Sequence, residues 1–176
     1  MQWYIDIVTK CPILSAMVQF AILGTLGDMI AKWSQAKKIY MPFSFPMTLW
    51  KMIEWAFLAI LIKYAFVGFQ GFVDGLIEHN MLTAFMQTGG IGRAFIVSFL
   101  MNAQFGILLV LLHRILDYLP VGKVNWNGIN KGIYSLFWFW IPAHTVTFTL
   151  PRPFQIGLAA LWSLVLGLIL GLFNKK

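Results

Sequence analysis

Charge is what this sequence has least of. Asp, Glu, Lys and Arg make up 11% of its 176 residues, while 60% are hydrophobic, and the mean hydropathy is +0.78. A soluble domain carries roughly a quarter charged residues and no more than about half apolar ones. Too little charge is left to cover a water-facing surface, which all but excludes a soluble globular enzyme. Intrinsic disorder is excluded too, because it needs the reverse balance. Acid is the scarcer sign, with 6 Asp and Glu against 13 Lys and Arg and a net charge of +7. The basic residues lie mostly at the ends of apolar runs, where they meet lipid headgroups. No basic cluster stands out beyond Lys37-Lys38, so no nucleic-acid partner is expected.

Cysteine is nearly absent as well. Cys11 alone permits no intrachain disulfide and offers no zinc spacing. Catalytic signatures are missing: there is no His-Glu-x-x-His, no Gly-x-Ser-x-Gly and no phosphate loop. The three histidines, His79, His113 and His144, fall on different segments. No metal, no cofactor and no enzymatic activity are therefore expected. The start, Met1-Gln2-Trp3-Tyr4, has neither a basic region before its apolar run nor an Arg-rich amphipathic pattern, so a cleavable leader is not expected.

What the chain does have is long apolar runs. A helix needs about 20 mainly apolar residues to cross the hydrocarbon. Candidate spans run from about Ile13 to Ala31, Pro46 to Phe69 and Ala94 to Leu112. The stretch from Ile129 to Phe173 is too long for one crossing, and Pro151-Arg152-Pro153 divides it. The fourth segment then passes through Trp138, Trp140 and His144, and the fifth runs from Phe154 to Phe173. The expected fold is an all-α, polytopic helical bundle, one multi-pass domain over 1–176, with about five membrane-embedded helices and four as the rival count.

Charge sorting supports five. With the amino terminus outside, the inner side holds Lys32, Lys37, Lys38, Lys51, Arg114, Lys123, Lys131, Lys175 and Lys176, and the outer side Lys10, Arg93 and Arg152. This is a positive-inside bias. Trp3-Tyr4, Trp33, Tyr40, Trp50, Tyr118 and Trp126 stand where interfacial aromatic anchors belong.

Polar groups within spans are expensive in lipid and should face protein or water. Asp28 reads either as a pore-mouth carboxylate or as an interfacial residue paired with Lys32, one turn on. Lys51 and Glu54, three apart, share a helix face and favour a salt bridge. Ser98, Asn102 and Gly106 form a stripe at i, i+4 and i+8, suited either to lining water or to close, hydrogen-bonded helix packing. Gln104 points away from that stripe and needs a partner of its own. Pro142 frees a carbonyl one turn earlier, and with Pro151 and Pro153 it is a candidate hinge. His144 reads either as a titrating gate or as a satisfied hydrogen bonder, and Thr147 lies near it. Ala159, Ser163, Gly167 and Gly171 recur every four residues, a small-residue stripe for helix packing within the bundle or for a homo-oligomer through the last helix. Gly71 and Gly75 repeat the spacing more weakly.

Two stretches carry a family likeness. Trp3-Tyr4, seven residues, Pro12, fourteen residues and Gly27-Asp28-x-x-Ala31 resemble the opening signature of the Mpv-seventeen and peroxisomal membrane protein (twenty-two-kilodalton) family. Lys32 stands where that pattern usually has Gln. Trp140, Pro142, His144, Thr147, Phe148, Pro151 and Arg152 resemble its carboxy-terminal motif, with His144 in place of Gln, Thr147 in place of Asn, and displaced prolines. Ala103-Gln104 sits where the family has Asp-Gln. The resemblance implies a divergent member with four spans, in an inner mitochondrial or peroxisomal membrane; if the chain is prokaryotic, the cytoplasmic membrane is expected instead. It also implies a channel-like role in passing small metabolites. The expected function is thus passage of small solutes, with Asp28, Asn102, Gln104, His144 and Thr147 as candidate polar lining. A non-transporting membrane organiser is the alternative, and a lipid-acting enzyme a weaker third class that would need at least one intramembrane polar group for activity.

Overall fold

The computed structural model describes residues 1–83 and 89–173, with side chains described through residue 169. Helices α1 (Gln2–Lys10), α2 (Pro12–Ala36) and α3 (Phe45–Glu78) are followed by α4 (Gly90–Met101). A π-helical turn (Asn102–Gly106) joins α4 to α5 (Ile107–Tyr118). Helix α6 (Ile129–Ser135), a second π turn (Leu136–Trp140) and α7 (Ile141–Thr149) form the next run, and α8 (Arg152–Phe173) closes the chain. Among the described residues there is no strand.

Four helical runs are long and apolar enough to cross a membrane: Pro12–Ala36, Phe45–Glu78, Gly90–Val121 and Arg152–Ile169. The protein is a multi-pass helical membrane bundle, and its apolar helices face lipid. The fourth sequence segment is helical over 129–149, about 31 Å at 1.5 Å per residue, but it is not among the runs apolar enough to cross by composition alone. Trp138, Trp140, His144 and three threonines dilute it. Helix α1 is an element the sequence reading did not anticipate.

Prolines sit where helices tolerate or end at them. Pro12 opens α2 and Pro46 lies in the first turn of α3, where no amide donor is missed. Leu150, just before Pro151, is extended at φ −79° and ψ 156°, as the pre-proline position prefers. Pro151 thereby ends α7, and Pro153 falls in the first turn of α8. Pro142 is the second residue after the second π turn. Its ring crowds the carbonyl of Trp138, and the π turn containing Trp138 loosens the helix there.

The described chain divides into two compact units, Met1–Ile60 with Ile156–Lys176 and Leu61–Gln155. The first is held by small-residue packing. A Cβ on Gly167 would overlap the carbonyl of Gly27, and one on Gly27 would lie 2.8 Å from the Ser163 carbonyl. Ser163 donates to the carbonyls of Leu23 (3.2 Å) and Ala160 (2.6 Å), and Ala159 is buried beside it. The small-residue face of the last helix is thus filled by α2 of the same chain. At Ser163 and Gly167 the stripe packs within the bundle, the first of its two expected uses, whereas Gly171 lies outside the residues whose surroundings are described. Gly24 lies under the Trp55 indole, which stacks on Phe20. Helix α1 is tied in by Tyr4, whose hydroxyl donates to Gln19 (3.1 Å) and rests on Gly157.

The second unit packs α4 on α7, with Ala94, Val97, Ser98 and Met101 buried on one and Ile141, Ala143, His144, Thr145 and Thr147 on the other. Val73, Ile77 and Val97 form an apolar cluster flanked by Phe69, Leu100 and Phe148. Gly106 lets the two π turns meet, since a Cβ there would come within 2.9 Å of Leu136.

Candidate functional site

The polar stripe of α4 faces α7. The Ser98 hydroxyl donates to the carbonyl of Ile141 (2.8 Å), which also accepts from Thr145 (2.7 Å). Asn102 places its amide nitrogen 2.8 Å from the Ser98 carbonyl, 3.4 Å from the Ser98 hydroxyl and 3.2 Å from His144 Nδ1. A backbone carbonyl only accepts, so the atom facing it is the NH2 group of Asn102. The second amide hydrogen then goes to His144 Nδ1, which must act as acceptor and leaves the ring proton on Nε2. Phe66 meets the imidazole edge-on at 5.3 Å, and Trp140 stacks on it at 5.0 Å. Phe148 adds a third aromatic wall, 6.3 Å away.

These groups are interior. Asn102 is 2% exposed and Thr147 0%, and the Thr147 hydroxyl donates to the carbonyl of Ala143 (2.9 Å). In this conformation the stripe serves helix packing, the second of its two expected uses. The node falls where both helices are irregular, since Asn102 begins one π turn and Trp140 ends the other. Such turns often accompany functional sites. The freed carbonyl expected near Pro142 is not where the hydroxyls gather. Proline removes the bond to Trp138, whereas Ser98 and Thr145 both reach Ile141.

A second polar centre lies in the other unit. Lys51 pairs with Asp28 at 3.2 Å and with Glu54 at 3.4 Å, and the Trp55 indole N–H donates to Asp28 (3.1 Å). Lys51 is 6% exposed and Glu54 1%. The sequence pairs Lys51 with Glu54 correctly, but Asp28 takes Lys51 from α3 in place of Lys32 from its own helix. One ammonium bridges the two carboxylates as a shared countercharge, with Glu54 buried and Asp28 partly exposed.

Gln104 joins neither centre. It lines an open groove of about 400 Å³ together with Leu61, Tyr64, Ala65, Gly68, Phe69, Phe72 and Phe105. The structure therefore brings Asn102 and His144 together, holds Thr147 on the same buried helix face, and leaves Asp28 and Gln104 elsewhere. Phe66 and Lys51 were not foreseen as partners of the candidate residues. A further network also escaped the sequence reading. Arg93 pairs with Asp74 (2.7 Å) and donates to the Gln70 carbonyl (3.3 Å). Gln70 donates to Gln155 (3.3 Å), which in turn donates to the Leu150 carbonyl at the end of α7 (2.9 Å). Only the isolation of these polar residues among apolar ones signals it in the sequence.

Compared with protein families, with curated proteins and with solved structures, the chain matches none.

Proposed function

We propose that the protein passes small solutes across a bilayer by a gated, channel-like route, closed in this conformation at Asn102 and His144. One observation carries the reading. The contact between α4 and α7 carries a stripe of buried polar groups, and both helices break their α-helical register beside it. The contact between α2 and α8 illustrates a contrasting solution, glycine against glycine with the Ser163 hydroxyl donating to the Leu23 carbonyl. A bundle needing only stability has that cheaper arrangement to hand, because polar groups inside a membrane cost free energy. Groups that exchange hydrogen-bond partners, on helices already irregular, suit a path that opens and closes.

In this reading Asn102 and His144 part to admit water and solute. Ser98 and Thr145 keep the Ile141 carbonyl bonded meanwhile, and Pro142 with the Pro151–Pro153 break lets α7 tilt. Asp28, in the other unit, is held by Lys51 and Trp55, and its role is structural. The likeness to the Mpv-seventeen and peroxisomal membrane protein family supports the same reading, as does the family's membrane setting for localisation.

The test is solute and ion flux in liposomes holding the purified, correctly inserted protein, with His144→Ala and Asn102→Leu alongside. Flux above empty liposomes that changes with either variant supports the proposal. No flux from folded, inserted protein overturns it in favour of a membrane organiser.

A further inference from the structure

We infer that the groove beside Gln104 is the face on which a second copy of this chain docks. The argument begins with glycine use. In a helix interior glycine is destabilising relative to alanine, so it needs a compensating contact. Gly24, Gly27, Gly106, Gly157 and Gly167 have one, since a Cβ on any of them would meet a neighbour at 2.9 Å or less. Gly68, Gly71 and Gly75 have none, because a Cβ there meets nothing within 4 Å. All three lie on α3, and Gly68 lines the groove. Close backbone approach is what glycines on a membrane helix permit, and the occupant that exploits it is another helix.

Gln104 independently points to a partner. It lies near the middle of the Gly90–Val121 span, on the open groove wall, and among the described residues its side-chain amide has no hydrogen-bond partner. Lipid tails offer none at that depth. An amide is self-complementary in charge: its N–H end is positive and its carbonyl end negative. A two-fold axis sets each end against its opposite on a second copy, satisfying both amides with one residue type. The exposed Tyr64, lining the same groove, brings a phenol to the rim of that contact.

This inference stands apart from the solute-passing reading and also relocates self-association, since the last helix's small-residue face is filled from within. The test is the oligomeric state of the full-length protein in lipid nanodiscs and liposomes, by single-molecule photobleaching and energy-transfer dilution. Wild type should be a dimer. Gln104→Leu and Gly68→Leu should weaken dimerisation by about tenfold or more, Gln104→Asn should restore part of it, and Leu161→Ala on α8 should leave it unchanged. A Cβ at Gly68 meets nothing within 4 Å and Gln104 is exposed, so thermal unfolding of both variants should match wild type. A monomeric wild type overturns the inference, as does a dimer indifferent to Gln104→Leu. A lipid that co-purifies with a monomer and is lost in Gln104→Leu also overturns it.

Discussion

Lys51 is the residue on which most depends locally, because its one ammonium pairs with both Asp28 and Glu54. Lys51→Met should lower stability by about 3–5 kcal/mol, the cost of leaving buried charge uncompensated. Adding Asp28→Asn and Glu54→Gln should recover much of that loss, as thermal unfolding in detergent would record. The Asn102 geometry makes a second residue-scale prediction. Nitrogen-15 spectra of histidine-labelled protein should identify His144 as the tautomer protonated at Nε2, and Asn102→Leu should remove that preference. The candidate polar residues were all legible from the sequence as misfits in apolar runs, but their partners were not. Local spacing pairs Lys51 with Glu54 because three residues is one helical turn. It is blind to the crossing that delivers Lys51 to Asp28, and equally to Phe66 against His144.

At the scale of elements, the glycines divide into those in contact and those in the open. Gly167→Ala must push α2 away from α8 and should cost about 1–3 kcal/mol, as overpacking does. Gly92→Ala, with nothing within 4 Å, should leave stability unchanged or raise it by up to about 1 kcal/mol. Paired thermal melts check the contrast. The helices themselves were readable because twenty-residue apolar runs and paired prolines leave little alternative in lipid. The π turns were not, because no residue type specifies them. Their placement follows from tertiary demands: Pro142 crowding Trp138, and Gly106 admitting Leu136. Helix α1 was missed for a similar reason, being short and fixed by Tyr4 meeting Gln19.

For the whole molecule, the span count turns on 129–149. The helical run is long enough to cross, and the charge distribution asks that it does. On a Cys11→Ser background, single cysteines at Asn125 and Arg152 should therefore react with an impermeant thiol reagent from opposite sides of a sealed vesicle. Labelling from the same side would mean four crossings, with 129–149 returning to the face it left. Composition sufficed to predict a membrane bundle, because 11% charge leaves no other solvent for its surface. It said nothing of how the chain divides into two units, since that depends on which helices touch.

The two π turns also bear on the protein's ancestry. A π turn holds one residue more than the α-helical path needs, closing i to i+5 where an α-helix closes i to i+4. An extra residue taken up in this way leaves the helix on either side facing as before, so a well-packed helix can hold it without rotating. Deleting one residue from 102–106 should restore regular winding with α5 still on its contacts, and would remove the widened turn that Leu136 meets at Gly106. The facing turn at 136–140, which meets the first at Gly106 and Leu136, would then lose its seat. Chains descended from a common ancestor should carry both insertions or neither, so their alignments should open and close these two gaps together.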